Sequence, residues 1–376
     1  MNENQSSLWS PSEEVKKNSQ LKKFCKQLDK KNLLKYNENF QNIWEWSINN
    51  PEIFWSEIWD FTNVKGEKEG KIIKKNKIFY KNIFFPDSKL NYAENLLSKN
   101  NEEIALNFLS ENGLKKKISW KKLYENVCKL SRYLKKINLK EKDRVAAYVP
   151  NTIETIISFL ATSKNGLIWS SCSPDFGAKG VVDRFLQIRP KVLITSDYYF
   201  YNGKKINILD KIPEILKKIK SIKKVIVFPY TNEFEKKLNI KYIDFNSILE
   251  KSKADINFKK FKFNHPLYIL YSSGTTGVPK CITHGAGNAL IEHNKEFSLH
   301  CNVSNNYKIF YYTTTGWMMW NWLVGGLASG ASLYLYDGSP TYPSKDSLVK
   351  FCSEEKINLF GVSAKYIDFL KKENLN

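Results

Sequence analysis

Arginine is nearly missing from this sequence. Among 59 basic residues only Arg132, Arg144, Arg184 and Arg189 are arginines, so a formal charge of +21 rests almost wholly on lysine. Guanidinium groups are the usual readers of bases and the usual bidentate clamps on phosphate. The lysines run the whole length, often beside asparagines, and so fill solvated faces. That distribution argues against a dedicated nucleic-acid protein and leaves the charge to favour small anionic substrates. Cysteine is sparse too: Cys25, Cys128, Cys172, Cys281, Cys301 and Cys352 stand far apart with no CxxC pair. Such spacing predicts reduced thiols in a cytoplasmic protein, with no disulfide framework. The four histidines, His265, His284, His293 and His300, have no carboxylate or cysteine at ligand spacing, so no protein-held metal is expected. The opening MNENQSSLWSPSEE has no basic-then-apolar leader pattern, and no apolar run reaches the about 20 residues of a membrane span. No membrane partner is expected.

What the chain does have is enough apolar material for a large core: 376 residues, 42% hydrophobic and 14% aromatic. Residues 1–95 read as a tryptophan-rich helical leader. There Asn50-Pro51 starts a helix, and Pro51, Trp55, Ile58 and Trp59 recur at helical spacing, an amphipathic face for packing on the rest of the protein. Residues 96–376 alternate. RVAAYVP (144–150) predicts a strand, TIETIISFLATSKNG (152–166) a helix, and IWSSCS (168–173) and KVLITS (191–196) further strands. Residues 207–220 read as helix, VIVFP (225–229) as strand, and 287–300 as helix. KIFYYTTT (308–315), WNWLVGGLASG, ASLYLYD (331–337), 344–356 and NLFGVSA (358–364) continue the alternation. This is the signature of an α/β fold with stacked, mostly parallel sheets flanked by helices. The last segment, AKYIDFLKKENLN, reads as a helix that no strand follows, which predicts an α/β domain incomplete at its C-terminal end.

One stretch carries chemistry. In LYILYSSGTTGVPK (267–280) a short buried strand turns into hydroxyls and glycines and then a lysine. Gly274 and Gly277 free the backbone to present N–H groups, Ser272, Ser273, Thr275 and Thr276 add hydroxyl donors, and Lys280 adds charge, a set that suits a polyphosphate. The alternative is a Gly-Ser-Thr surface turn with a solvated lysine. A Walker A loop is excluded, because Pro279 precedes Lys280 and Cys281 follows it. In open α/β sheets ligands gather at strand carboxyl ends. Residues 272–280, Thr313 to Trp317 and Ser363 all follow predicted strands, which predicts one shared site.

YSSGTTGVPK resembles the phosphate-binding signature of the adenylate-forming acyl-CoA synthetases. Within them, NIWEWSINNPEIFWSEIWDF, FFPDSKLNYAENLL, WSSCSPDFG and TTTGWMMWNWLVGGLASGASLYLYDGSP are similar to the acetoacetyl-CoA synthetases, over about residues 9–366. The resemblance implies an acid–thiol ligase with ATP, Mg2+ and coenzyme A. Acetoacetate would attack the α-phosphate of ATP to give an acyl-adenylate, and coenzyme A would then displace AMP. It implies that Thr275, Thr276 and Lys280 stabilise phosphate charge, with Ser272, Ser273, Gly274 and Gly277 shaping the loop. It places Trp317, Met318 and Met319 at the acyl and coenzyme A pocket, with Trp320 and Trp322 as core, and sets Lys204 and Lys205 against coenzyme A phosphates. The family's later aromatic-Gly-x-Thr-Glu motif, ribose-binding aspartate and small C-terminal domain are not found in residues 1–376. The expectation is therefore an N-terminal portion, inactive alone, whose remainder lies in further sequence or on a separate chain. A non-catalytic nucleotide-binding or interaction fragment, and a ligase for another short acyl acid, stay open as alternatives.

Overall fold

The computed structural model describes residues 9–37, 39–234, 240–272 and 277–375. Two sheets dominate it. The larger runs, in spatial order, through Ile243–Asp244, Lys224–Phe228, Val192–Ser196, Arg144–Tyr148, Ile168–Cys172, Pro266–Ser272 and Lys280–Gly285. Every neighbouring pair is parallel except the last, where Pro266–Ser272 and Lys280–Gly285 run antiparallel. The smaller sheet orders Leu359–Gly361, Lys308–Tyr311, Ser332–Asp337, Ile104–Ser110 and Lys115–Ser119, again parallel but for its last pair. This is the mostly parallel, helix-flanked α/β fold that the alternation predicts.

Ile168–Cys172 and Val192–Ser196 are buried at every position. Parallel strands need crossovers, and the crossover helices cover both faces, so such strands read as continuous apolar runs. The crossover helix Ile153–Lys164 is itself buried at all but one position, Glu154. Trp120–Lys136 begins where the Ser119 hydroxyl accepts from the Lys122 N–H, a side-chain cap on an otherwise unpaired donor.

The leader shares the main core. Helices Gln20–Lys30, Phe40–Asn49 and Pro51–Phe61 bring Phe24, Ile58 and Trp59 into one cluster with the residues of both sheets. Trp59 stacks on Phe263 with ring centroids 6.0 Å apart. The packed face is the one the helical spacing predicts, although Trp55 is only partly covered. The leader is not helical throughout: between residues 66 and 90 it forms short strand pairs, Gly66–Glu67 with Lys89–Leu90 and Ile73–Lys74 with Ile83–Phe84. Other boundaries move inward. KIFYYTTT is strand only as far as Tyr311, and WNWLVGGLASG is helix over Met318–Gly325 followed by a 3-10 turn.

Candidate active site

Strands from both sheets deliver their carboxyl ends to one cavity of about 360 Å3, lined by Asn151, Ser173, Asp175, Tyr199, Tyr312 to Thr315, Asp337 and neighbours. Hydrogen bonds stitch the loop 312–317 between the sheets. The Ser171 hydroxyl donates to the Thr315 carbonyl at 2.6 Å, and the Thr315 hydroxyl donates to the Val149 carbonyl at 2.8 Å. Trp320 Nε1 donates to Asn151 Oδ1 at 2.9 Å, and the Tyr312 hydroxyl to the Gly338 carbonyl at 2.9 Å. Thr315 therefore leaves the sheet with its hydroxyl and its carbonyl both used across the junction.

Two buried carboxylates stand at this end of the sheets: Glu111 lies behind Gly338, which lines the cavity, and Asp337 lines it directly. Glu111 accepts three backbone N–H groups, from Asn202 at 2.9 Å, Gly203 at 2.8 Å and Ser339 at 2.7 Å. It thus ties the hairpin Tyr198–Tyr201/Lys204–Asn207 to the loop after Ser332–Asp337. Gly338 makes this possible: at φ +138 a Cβ there would stand 2.5 Å from Glu111 Cβ. The second is Asp337, where burial pushes the carboxyl up to about 7 although the Tyr230 hydroxyl, 2.8 Å away, favours its ionised form. That hydroxyl also lies 2.6 Å from Ser110 Oγ, and burial holds its pKa well above the ordinary phenol value. Behind Pro174, which lines the cavity, Lys211 Nζ donates to the Tyr148 hydroxyl at 2.9 Å and the Pro174 carbonyl at 3.1 Å. Desolvation lowers its pKa.

The hairpin that ends the larger sheet emerges one strand beyond the cavity wall. Ser272 pairs opposite Lys280 at its mouth. Lys280 is exposed and takes part in no ion pair among the described residues, while Gly277 adopts φ +97. Helix Ala178–Ile188 props the hairpin, since Gln187 Nε2 donates to the Pro279 carbonyl at 2.9 Å. Ser273, Gly274, Thr275 and Thr276 lie outside the described residues. Trp317 and Met318 are about half exposed, at 46% and 47%, and stand beside the cavity, whose lining stops at Thr315. Met319 is partly covered. Trp320 is fully buried, whereas Trp322 is partly covered and packs on Phe297 with centroids 4.2 Å apart. Lys204 and Lys205 are exposed on the second strand of the hairpin whose first strand supplies Tyr199 to Tyr201 to the cavity, and Lys205 Nζ lies 3.8 Å from the Tyr198 ring centroid.

Glu111, Tyr230, Lys211 and Asp337 carry no motif that sequence reasoning could have read. Among the described residues no three histidine, cysteine or acidic side chains are placed to hold a metal, and no helix is long and apolar enough to cross a membrane.

Comparison with known proteins bears on the fold and the family. The acetoacetyl-coenzyme A synthetase of Rhizobium meliloti is 40% identical over 373 residues, covering 97% of this chain and 56% of that protein. The acetoacetyl-CoA synthetase of Gallus gallus is 41% identical over 350 residues, covering 90% and 52%. The solved acetoacetyl-CoA synthetase from Streptomyces lividans superposes with a TM-score of 0.93 at 31% identity, over 98% of this chain and 57% of that one. The chain thus spans about half the length of the curated relatives it matches. The family model described as AMP-binding enzyme matches residues 94–376, and the chain belongs to the AMP-binding enzyme family.

Proposed function

We propose that this chain supplies the nucleotide- and acyl-binding body of an AMP-forming acid–thiol ligase that activates acetoacetate. The observation that carries the reading is the convergence of strand carboxyl ends from both sheets on one cavity, with an unpaired lysine at the mouth of the neighbouring hairpin. A carboxylate is a poor acyl donor because its leaving group would be oxide. Attack of an acetoacetate oxygen on the α-phosphorus of ATP expels pyrophosphate and leaves an acyl-adenylate. The thiol of coenzyme A then attacks the acyl carbon and AMP departs.

Such transfers are catalysed mainly by positioning and by stabilising charge on phosphate oxygens. Lys280, Thr275 and Thr276 take that role, with Ser272, Ser273, Gly274 and Gly277 forming the cradle. Mg2+ enters on the ATP phosphates and shares their charge. Trp317, Met318 and Met319 border the path of the acyl group and pantetheine arm, and Lys204 and Lys205 meet the coenzyme A phosphates. The adenine and ribose contacts belong to sequence that the relatives carry beyond the matched half, on the same chain or another.

The test is calorimetric titration of the 376-residue chain with Mg·ATP and with Mg·pyrophosphate. Competitive, saturable binding that Lys280→Ala abolishes is expected, and equal binding by the variant would refute the cradle. Incubation with acetoacetate, Mg·ATP and coenzyme A should yield no acetoacetyl-CoA from this chain alone. Product formation would overturn the assignment of the remaining contacts to further sequence.

A further inference from the structure

A second cavity, of about 560 Å3, lies at the opposite ends of the strands from the candidate active site. It sits where the leader meets the segments that enter Lys308–Tyr311 and Ser332–Asp337 by their amino ends. Its size falls within the roughly 300–1,000 Å3 of small-molecule sites, but its lining is not the usual apolar one. Asparagines, serines and a threonine dominate, joined by Lys65 and Lys99, and no carboxylate lines it.

The cationic edge is built. The buried Asn95 side chain grips both backbone groups of Lys65, accepting its N–H at 2.7 Å and donating to its carbonyl at 2.9 Å. Lys65 itself forms no ion pair among the described residues. Lys99 is held at 3.0 Å from Asn306 Oδ1 and 2.9 Å from Glu103. Gly330, at φ +73, lets Asn305 lie across its backbone, for a Cβ there would stand 2.2 Å from Asn305 Oδ1 and 3.2 Å from Lys99 Cε. On the facing wall the buried Asn294 donates to the Thr62 hydroxyl at 3.3 Å.

Lys99 is paired with Glu103, but among the described residues no carboxylate neutralises Lys65, so the cavity edge favours an anion at Lys65. Side-chain amides and hydroxyls, each both donor and acceptor, match a ligand rich in hydroxyls. The apolar lining is limited to Phe61, Val303, Ala328 and the glycine, which is little for a nucleobase to stack on. We propose that this cavity binds a small phosphorylated polyol of the sugar-phosphate class, its phosphate on Lys65 and its hydroxyls on the amide wall. The site joins the leader to the core, so an occupant stabilises that junction.

The experiment is calorimetric titration of the 376-residue chain with glucose 6-phosphate, with glucose and inorganic phosphate as separate arms. Saturable one-to-one binding is expected in the wild type and in Lys280→Ala, weakened at least tenfold in Lys65→Glu. Lys65 is exposed, so Lys65→Glu should keep its circular dichroism spectrum and its thermal midpoint. If the variant proves unfolded, Lys65→Gln takes its place with the same expected loss. Absence of saturable binding, or unchanged affinity in the folded Lys65 variant, would overturn the proposal. Loss in Lys280→Ala would also do so, by placing the ligand in the other cleft. Inorganic phosphate binding as tightly as the sugar phosphate would overturn the polyol assignment.

Discussion

Replacing Asp337 by asparagine should stabilise the protein, and increasingly so as pH rises. In the folded chain burial keeps the Asp337 carboxyl protonated up to about 7, against an ordinary value of 3.8. Between those values the folded state holds a proton that the unfolded state has released, so raising the pH lowers stability. The contribution is fully present below the unfolded value and is lost as pH climbs through about 7. The gap corresponds to roughly 4 kcal/mol at about 1.36 kcal/mol per pH unit, an upper bound for a group at a cavity wall. Asparagine keeps an oxygen for the Tyr230 hydroxyl and never ionises, so the variant escapes this loss. Urea unfolding of both proteins at pH 5 and pH 8 reads the effect as a difference of differences, which cancels other titrating groups. The variant should gain at most roughly 2.6 kcal/mol relative to wild type between the two pH values, because only about two of the pH units separating folded and unfolded values lie above pH 5. An advantage that is the same at both would refute the reasoning.

Three further outcomes follow from neighbouring groups. Burial drives His293 down to about 4 from 6.5; the unfolded state therefore binds its proton first, and stability falls as pH drops from about 6.5 through about 4. His293→Gln should flatten that part of a thermal-midpoint profile. Trp320→Ala empties a fully buried site that stacks on Trp169 and leaves Asn151 Oδ1 without its donor. A loss of about 3–5 kcal/mol in urea unfolding is expected. Glu111→Ala removes the acceptor of three backbone N–H groups, each worth roughly 1–3 kcal/mol where water cannot replace it. Hydrogen exchange at Asn202, Gly203 and Ser339 should accelerate together, and unchanged protection would show that Glu111 does not hold the hairpin.

The alternation of the fold was legible because fully buried parallel strands and their crossover helices leave apolar runs of recognisable length, as at 153–172 and 192–196. The strand Lys280–Gly285 was not legible. Its residues are exposed or half-exposed, so no buried face imprints an alternation, and pairing with Pro266–Ser272 decides its state. The strand ends at Tyr311 and the chain turns so that Thr315 bonds across the sheet junction, a tertiary demand that a run of β-branched residues hides. The leader misled for a related reason: residues 66–90 pair in two-residue strands too short to show a period. In the candidate site, the hairpin chemistry around Lys280 was readable as a motif. Glu111 was not, since its partners lie 91, 92 and 228 residues away. Nor was the Tyr230 contact with Asp337, which spans 107 residues.

The proposed role of the cleft in this chain is to hold the acyl group next to the phosphate that activates it. Its most direct test is the affinity of the 376-residue chain for a 5′-O-sulfamoyl adenosine carrying an acetoacetyl group, measured against AMP. The mimic should bind at least tenfold more tightly than AMP, because the two share the adenosine and only the mimic adds an acyl group to meet the pocket beside Trp317. Trp317→Ala should reduce that advantage. Binding no tighter than AMP, or insensitive to Trp317, would contradict the account.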